Sequence, residues 1–277
     1  MKFLIIGKNG NLGKEFINAL TSEDFIAFDS TELDITDINQ VRSVLLQHRP
    51  DIILNCAAYT AVDKAETEFE TAKKVNAEGP ENLAKICMEI DSTLVHFSTG
   101  MVFIGDNGNG YNELDKTNPV NAYGKSKLLG EQLIQSTNSK HYIIRTEWLY
   151  AMPQNSSAKK SFNEIILDLA KSGQPLKGVA DEVGQPTWTK DLVEATLQLI
   201  EQNLPYGIYH IANSGKASRL EWAQEILKLN GIDLPIEPVS GKSFPRPAAR
   251  PQFELLNNTK LPQLRDWKEA LKEYFNN

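Results

Sequence analysis

The sequence is poor in the residue types that build disulfides and metal centres. Its 277 residues include only two cysteines, Cys56 and Cys87, and four histidines. The cysteines lie among apolar residues and have the spacing of neither a metal site nor a redox pair. We therefore expect two buried free thiols in a reducing environment, and no metal ion.

Long apolar runs and a positive net charge are lacking as well. No stretch approaches the roughly 20 apolar residues that a membrane span needs, and the apolar segment 1–7 ends too early for a signal peptide. The net charge is −7, whereas a nucleic-acid backbone calls for a basic surface. The remaining composition, with 41% hydrophobic and 23% charged residues, is ordinary for a globular protein. We expect a soluble cytoplasmic protein that binds neither nucleic acid nor membranes.

Short apolar segments alternate with helical patterns over residues 1–150. The apolar segments are 3–6, 25–28, 51–55, 93–97 and 142–145. This alternation predicts the α/β class, with a Rossmann-type doubly wound parallel sheet and helices on both faces. Ligands of such sheets bind beyond the carboxyl ends of the strands. Polar and glycine residues follow several of these segments, as that rule requires.

The alternation loosens after residue 150. We predict the following segments: a polar loop at 152–160, helices at 161–171, 190–200 and 218–229, an irregular stretch at 179–187, a strand at 207–211 that can rejoin the sheet, and an ordered proline-rich loop at 235–251. Residues 1–150, joined by 188–212, would form a dinucleotide-binding Rossmann domain. Residues 151–187 and 213–277 would form a smaller C-terminal α+β lobe that binds the substrate.

Three glycines follow the first predicted strand in the pattern Gly7-x-x-Gly10-x-x-Gly13. Glycine permits a tight turn and a close backbone approach to a pyrophosphate, which the next helix N-terminus stabilises. Asp29 ends the second predicted strand, where a carboxylate can bond a ribose hydroxyl. This pattern predicts dinucleotide binding. Asp29 favours NADH, whereas Lys8 could meet the 2′-phosphate of NADPH, so both cofactors stay open.

Tyr123 and Lys127 lie four residues apart, which places them on one helix face. An ammonium group nearby favours the phenolate and lowers the pKa of a tyrosine toward neutral pH. The same spacing also occurs by chance in structural pairs. Ser98 and Thr99 end a predicted strand and offer hydroxyl groups that can bond a substrate oxygen. Together these residues predict proton exchange with a carbonyl or alcohol oxygen.

Nine segments, in order along nearly the full length, resemble the dTDP-4-dehydrorhamnose reductase family of extended short-chain dehydrogenase/reductases. They are GKNGNLG (7–13), ELDITD (32–37), NCAAYTAVDKAE (55–66), STGMVF (98–103), NAYGKSKLLGE (121–131), RTEWLY (145–150), DEVGQPT (181–187), GIYH (207–210) and Arg250-Pro251. The resemblance implies reduction of the 4-keto group of a nucleotide-linked deoxysugar by NADPH or NADH, in surface-polysaccharide biosynthesis. It implies a dTDP-sugar as substrate, and a monomer or homodimer.

The resemblance also implies roles for individual residues. Tyr123 would be the proton donor, Lys127 its partner and a ribose ligand, and Thr99 the third catalytic group. The cofactor would be bound by Gly7, Lys8, Asn9, Gly10, Asn11, Leu12, Gly13, Asp29, Asp34, Ile35, Ala57, Ala58, Tyr59, Asn76, Ser98, Tyr123 and Lys127. The substrate would be bound by Val62, Asp63, Gly100, Met101, Trp148 and Arg250.

Departures from the family's usual residues cluster on the substrate side. The family usually has Asp-Tyr where this chain has Gly100 and Met101, and Ser where it has Glu147. Further departures are Ser161 for asparagine, Glu182 for glutamine, and 253–255 for Asn-Ser-Arg. Such changes alter the hydrogen bonds that discriminate between substrates, and both added glutamates would repel a diphosphate if they face it. The sugar therefore stays open, as do two alternatives: a nucleotide-sugar 4-epimerase and a non-catalytic NAD(P)-binding regulatory subunit.

Overall fold

The computed structural model describes residues 1–153 and 160–277. Its strands are β1 (Lys2–Ile6), β2 (Asp24–Phe28), β3 (Ile52–Asn55), β4 (Thr93–Thr99), β5 (His141–Thr146), β6 (Leu149–Tyr150), β7 (Leu176–Val179), β8 (Val183–Gly184), β9 (Thr187–Trp188), β10 (Gly207–His210), β11 (Ala217–Ser218), β12 (Ile236–Val239) and β13 (Phe253–Glu254). Its helices are α1 (Asn11–Ala19), α2 (Ile38–His48), α3 (Phe69–Lys73), α4 (Gly79–Ile90), α5 (Ala122–Thr137), α6 (Phe162–Lys171), α7 (Thr189–Glu201), α8 (Arg219–Leu229) and α9 (Trp267–Asn276). None of the helices in these two ranges is long and apolar enough to cross a membrane.

Six parallel strands form the central sheet, in the order β10-β5-β4-β3-β1-β2. Every residue of β3 and β4 is buried, as expected of parallel strands that are covered on both faces. The predicted fold class is confirmed, and β10 rejoins the sheet as expected. The strand order reverses at β1, which pairs with β2 on one side and β3 on the other. Ligands of doubly wound sheets bind at such a reversal.

Helices cover both faces of the sheet with apolar stripes. On one face, α1 and α7 bury Phe16 and Leu192 among the strand residues. On the other face, α2, α4 and α5 bury Leu45, Leu83 and Ile134. Full burial of such a side chain contributes about 1.5–3 kcal/mol. These two layers hold the carboxyl edge of the sheet rigid, and the loops that form the site are attached to that edge.

A second apolar cluster lies in the C-terminal part of the chain. Its largest members are Trp148, Trp188, Trp222, Trp267 and Tyr274, contributed in part by α8 and α9. Short strand pairs border it: β12 with β7, β6 with β9, and β8 with β11 and β13. The domain boundaries, 1–150 with 188–212 against 151–187 with 213–277, stay a prediction.

Several segments differ from their expected structure. The helical pattern between the apolar segments 51–55 and 93–97 is not one regular α-helix: α3 begins at Phe69, a π-helical turn follows at Lys74–Glu78, and α4 continues to Ile90. The stretch 179–187 contains β8, and the loop 235–251 contains β12. These strands of two and four residues are too short to show a period, and Pro238 is tolerated because β12 is an edge strand. The polar loop predicted at 152–160 falls mainly on 154–159, outside the described residues.

Helix α9 was not predicted, although the sequence carries its signals. The Asp266 carboxylate caps it by accepting a hydrogen bond from the amide of Lys268 at 2.8 Å. Its buried residues follow a helical period and are Trp267, Ala270, Leu271 and Tyr274. The cap followed by this spacing would have sufficed to predict the helix.

Candidate active site

The glycine loop connects β1 to α1 and depends on two of its glycines. Gly7 has a φ of +84°, and a Cβ built on it would lie 2.9 Å from the amide nitrogen of Ala57. A Cβ built on Gly13 would overlap the carbonyl oxygen of Gly7. Within the described ranges, no side chain caps α1 at Gly10. The first amides of α1 are therefore available to an anion such as a pyrophosphate.

A cleft of about 380 Å³ opens beside this loop, at the carboxyl ends of β1 and β3. The predicted cofactor residues that line it are Gly7, Asn9, Gly10, Asp29, Asp34, Ile35, Ala57 and Ala58. Residues not predicted also line it, namely Ile6, Ser30, Thr31, Leu33, Thr36, Cys56 and Val75. Asn11, Leu12 and Gly13 form the first turn of α1 beside it. The glycine cradle, the uncapped helix and the mainly apolar wall fit a dinucleotide.

The rim of the cleft carries two ionised carboxylates. Asp29 accepts hydrogen bonds from the amide and hydroxyl of Thr31, at 2.9 and 2.6 Å, and from the Asn9 side chain at 2.8 Å. The bonds from Thr31 are the main cause that lowers the pKa of Asp29. Glu32 accepts a bond from Lys8 Nζ at 2.5 Å. Since the charge of Lys8 is already paired, this rim suits ribose hydroxyls better than a 2′-phosphate.

Two predicted cofactor residues brace the loop that follows β3. Asn76, in the π-helical turn, is fully buried. Its side chain accepts a bond from the amide of Tyr59 at 2.8 Å and donates to the carbonyl of Tyr59 at 3.0 Å and the hydroxyl of Ser126 at 2.9 Å. The Tyr59 hydroxyl donates to Glu68 at 2.6 Å. Asn76 thus fixes the cofactor loop to α5 instead of lining the cleft.

The three predicted catalytic residues come together at the start of α5. Asn121 caps this helix by accepting a bond from the amide of Gly124 at 2.7 Å. Tyr123 therefore lies in the first turn and Lys127 one turn later. Thr99 ends β4, and its hydroxyl lies beside the Tyr123 side chain, where it lowers the pKa of that tyrosine. A proton donor and a hydroxyl partner thus lie side by side at the carboxyl edge of the sheet.

The pKa of Tyr123 is raised, whereas the sequence analysis led us to expect that Lys127 lowers it. Burial, and then the charges of Glu147 and Glu254, raise the pKa of Tyr123, whereas the neighbouring Thr99 hydroxyl lowers it. Lys127 points inward: its Nζ donates to the Phe97 carbonyl at 2.6 Å. Burial lowers the pKa of Lys127 to about 8. Lys127 Nζ is thus directed at the backbone of β4, and Thr99 is a group that lowers the pKa of Tyr123.

Ser98 serves a different purpose from the one we expected. Its hydroxyl donates to Glu131 at 2.5 Å, and Glu131 forms a buried ion pair with Arg145 at 2.6 Å. This network joins α5 to β4 and β5 behind the catalytic residues. It leaves no hydroxyl proton on Ser98 for a cofactor. Glu131 was missed at the level of sequence, although it follows Lys127 at helical spacing on the same face.

Three of the predicted substrate residues meet on the other side of the site. Arg250 pairs with Asp63 at 2.9 Å, and Val62 precedes Asp63 in the same loop. The Asn121 side chain donates to the carbonyl of Ala249 at 2.9 Å. The segment around Arg250 is therefore attached to the cap of the catalytic helix.

Gly100 and Met101 follow Thr99 directly, and Glu147 fills the space beside Gly100. A Cβ built on Gly100 would overlap Glu147 Oε1. Glu147 and Glu254, only 2% and 4% exposed, hydrogen-bond each other, and one oxygen of each finds no donor among the described residues. Burial and the charge of Glu254 raise the pKa of Glu147 well above its ordinary range. A proton shared between the two carboxyl groups would relieve this like-charge contact.

The added glutamates do not face outward as an exposed negative pair. Glu147 is turned toward Glu254, and Glu182 is paired with Arg246. The guanidinium of Arg219 stacks 3.5 Å from the ring of Trp148 and contributes positive charge beside Glu147 and Glu254. Sequence reasoning missed Arg219 and the contact of Glu254 with Glu147, because α8 and β13, which carry Arg219 and Glu254, are distant from Glu147 in the chain. The expected repulsion of a diphosphate by Glu147 and Glu182 is therefore weakened.

Comparisons with known proteins find similarity over nearly the whole length of the chain. A family model described as the RmlD substrate binding domain matches residues 1–277. A dTDP-4-dehydrorhamnose reductase of Mycolicibacterium smegmatis is 39% identical over 281 residues, which is 98% of this chain and 84% of the relative. The crystal structure of a dTDP-4-dehydrorhamnose reductase of Clostridium acetobutylicum has a TM-score of 0.94 at 40% identity, covering 100% of this chain and 99% of that one. That of the enzyme from Bacillus anthracis, in complex with NADP, has a TM-score of 0.94 at 37% identity, covering 99% and 98%.

Proposed function

The chain belongs to the RmlD substrate-binding domain family, and from this premise we propose that it is an NAD(P)H-dependent 4-ketoreductase of a dTDP-linked deoxysugar. The observation that carries the proposal is that Thr99 and Tyr123 lie together at the carboxyl edge of the sheet that also holds the glycine-loop cleft, with Lys127 one turn further along α5. The enzyme reduces a dTDP-4-keto sugar in deoxysugar and polysaccharide biosynthesis. As part of the same proposal, it works in the cytoplasm as a monomer or homodimer and binds no nucleic acid.

The side chains divide the reaction between them. Bound NAD(P)H supplies the hydride that goes to the carbonyl carbon of the sugar. The Tyr123 hydroxyl gives its proton to the carbonyl oxygen, and the Thr99 hydroxyl holds that oxygen and the tyrosine in line. Positioned general acids of this kind contribute about 10²–10⁴ in rate. Lys127 would bind the nicotinamide ribose and, as an ammonium group, offset the negative charge that Tyr123 acquires.

The substrate side determines which sugar is reduced. In this proposal Val62, Asp63 and Arg250 contact one part of the sugar nucleotide, and Gly100, Met101 and Trp148 contact another. The carboxyl pair of Glu147 and Glu254 lies behind Gly100. A carboxyl pair that shares a proton can donate as well as accept a hydrogen bond, unlike an ionised carboxylate. We infer that these residues give the enzyme a sugar preference of its own within the family.

A regulatory subunit that binds the cofactor without turnover is the second candidate. It is favoured by Gly100 and Met101, which carry no proton-transfer group, and opposed by the intact Thr99, Tyr123 and Lys127. A 4-epimerase would use the same three residues, but it would return the hydride and leave the cofactor unchanged.

A substrate panel separates the three functions. Purified protein is given 4-keto nucleotide sugars with different bases and deoxygenation patterns, with NADH and NADPH in parallel, and cofactor oxidation is followed by absorbance. The reductase predicts stoichiometric oxidation with a dTDP-sugar, and a loss of about 10²–10⁴ in kcat for Tyr123→Phe. Silence across the panel with the cofactor still bound favours the regulatory subunit. Epimerised product without net oxidation favours the epimerase.

A further inference from the structure

A buried histidine lies directly behind the catalytic lysine. His96, in the middle of β4, is fully buried. Its Nε2 lies 3.0 Å from Lys127 Nζ, and its Nδ1 lies 3.0 Å from Asn55 Nδ2. The chemistry above gives His96 no part. Its two contacts nonetheless connect Lys127 to β3, which carries the cofactor loop.

The orientation of the Asn55 amide decides where the histidine carries its proton. Asn55 Oδ1 accepts a hydrogen bond from the backbone amide of Ala57 at 3.3 Å, so the amide nitrogen faces His96. An amide nitrogen only donates. His96 Nδ1 must therefore accept, and the neutral ring carries its proton on Nε2.

This tautomer has a consequence for Lys127. The Nε2–H of His96 points at Lys127 Nζ, and an ammonium group has no lone pair with which to accept a hydrogen bond. The neutral amine does, and it can still donate to the Phe97 carbonyl, 2.6 Å away. The arrangement of Asn55, His96 and Lys127 is therefore satisfied at every atom only when the lysine is neutral.

Other charged groups near Lys127 do not reverse this preference. Glu131, one turn further along α5, is the charged group that favours the ammonium form. Its carboxylate is already bound by Arg145 of β5 and by the Ser98 hydroxyl of β4. Burial acts in the opposite direction and lowers the pKa of Lys127 to about 8, and burial and the charge of Lys127 lower the pKa of His96.

We propose that His96, oriented by Asn55, is a positioning residue that favours the neutral amine of Lys127 until the cofactor binds, when the lysine becomes fully protonated. The ribose hydroxyl oxygens of the cofactor can accept hydrogen bonds from an ammonium group, so cofactor binding favours the protonated lysine. The inference rests on the proposed role of Lys127 as a ribose ligand. Cofactor binding therefore protonates Lys127, and the proposed reaction requires this lysine as an ammonium group.

Calorimetry of cofactor binding tests the inference without turnover. The full-length chain is titrated with NADH and with NADPH at pH 8, in buffers of different ionisation enthalpy, which gives the number of protons taken up. With a pKa of about 8, the wild type should take up about half a proton. His96→Gln places a carbonyl oxygen within reach of an ammonium group, so Lys127 is already charged and the uptake should fall to about 0.1 or less.

Two matched variants complete the experiment. Lys127→Met should abolish the uptake, which identifies the lysine as its source. His141→Gln, at another buried histidine, should retain the wild-type value. If His96→Gln does not fold, His96→Asn takes its place in the same titration. An uptake equal to that of the wild type in the His96 variant would overturn the inference.

A second readout connects the inference to catalysis. The pH dependence of kcat/KM reports groups of the free enzyme, and the limb that belongs to Lys127 should move up by at least about one pH unit in His96→Gln. An unchanged limb with a lower kcat would assign His96 a purely structural role. If no substrate is turned over, the proposed function fails, whereas the calorimetric result still decides on His96.

Discussion

Replacing Gly100 by aspartate restores the family's usual residue at a position where this chain has no room for it. The new Cβ would overlap Glu147 Oε1 and lie 3.2 Å from the side chain of Leu256. Forced repacking costs about 1–3 kcal/mol. A third carboxyl group beside Glu147 and Glu254 adds the cost of a buried, uncompensated charge. We expect Gly100→Asp alone to lower the free energy of unfolding by about 3–5 kcal/mol.

The same aspartate should be tolerated once Glu147 is replaced by serine. Glu147→Ser removes both the overlapping atoms and one of the two buried carboxyl groups. In that background Gly100→Asp should cost about 1 kcal/mol or less, which gives a coupling energy of at least about 2–4 kcal/mol between the two positions. Urea unfolding of the wild type, both single variants and the double variant at pH 7 measures this coupling.

A glycine with free space provides the control. A Cβ on Gly108 would make only an ordinary contact, 3.5 Å from the ring of Phe253. Gly108→Asp should therefore change the stability little, and by the same amount with or without Glu147→Ser. If Gly100→Asp also costs the same in both backgrounds, within about 0.5 kcal/mol, Glu147 does not occupy the space beside Gly100 and the reasoning is refuted.

Three further predictions concern protonation, cofactor choice and packing. Because the folded-state pKa of Glu147 lies above its ordinary value of 4.5, its contribution to stability is fully present below pH 4.5 and is lost as the pH rises. Glu147→Gln should therefore gain up to about 1.4 kcal/mol per pH unit over the wild type above pH 4.5 in urea unfolding, and parallel profiles would contradict this. Glu32→Gln frees Lys8 and should shift the ratio of NADPH to NADH affinity about tenfold toward NADPH in fluorescence titrations, where an unchanged ratio would argue against the paired lysine. Ser98→Ala removes a bond to the charged Glu131 and should cost about 1.5–3 kcal/mol of stability while the cofactor Kd stays the same; a weakened Kd at wild-type stability would place Ser98 in the cofactor site.

Sequence reasoning succeeded where the pattern is local. Buried parallel strands are continuous apolar segments, so strands such as those at 3–6 and 93–97 could be predicted from their own residues. The alternation of these segments with helical patterns then predicted the sheet. The glycine loop and Asp29 also follow one another within a single βαβ unit, and the structure places Gly7, Gly10 and Asp29 in one cleft. The spacing of Tyr123 and Lys127 predicted a shared helix face, and both lie on α5.

Sequence reasoning failed where a side chain's partner is distant in the chain, or where one side chain has two possible partners. The pairing of Glu147 with Glu254 joins segments about a hundred residues apart, and no local sequence pattern predicts it. Ser98 had the right residue type at the right strand end, yet its hydroxyl is bound by Glu131, which lies on a different element. The short strand β12 pairs with β7, so tertiary contacts and not a period determine it.

Hydride transfer to the sugar is the central claim and can be observed directly. The protein is incubated with a dTDP-4-keto-6-deoxysugar and NADH deuterated at the transferable position of the nicotinamide, and the product is analysed by NMR and mass spectrometry. We predict one deuterium at C4 of the sugar with the wild type, and a rate lower by about 10²–10⁴ with Tyr123→Phe. A product without deuterium at C4, or Tyr123→Phe forming the deuterated product at the wild-type rate, would contradict the assignment of Tyr123 as the proton donor of a 4-ketoreductase.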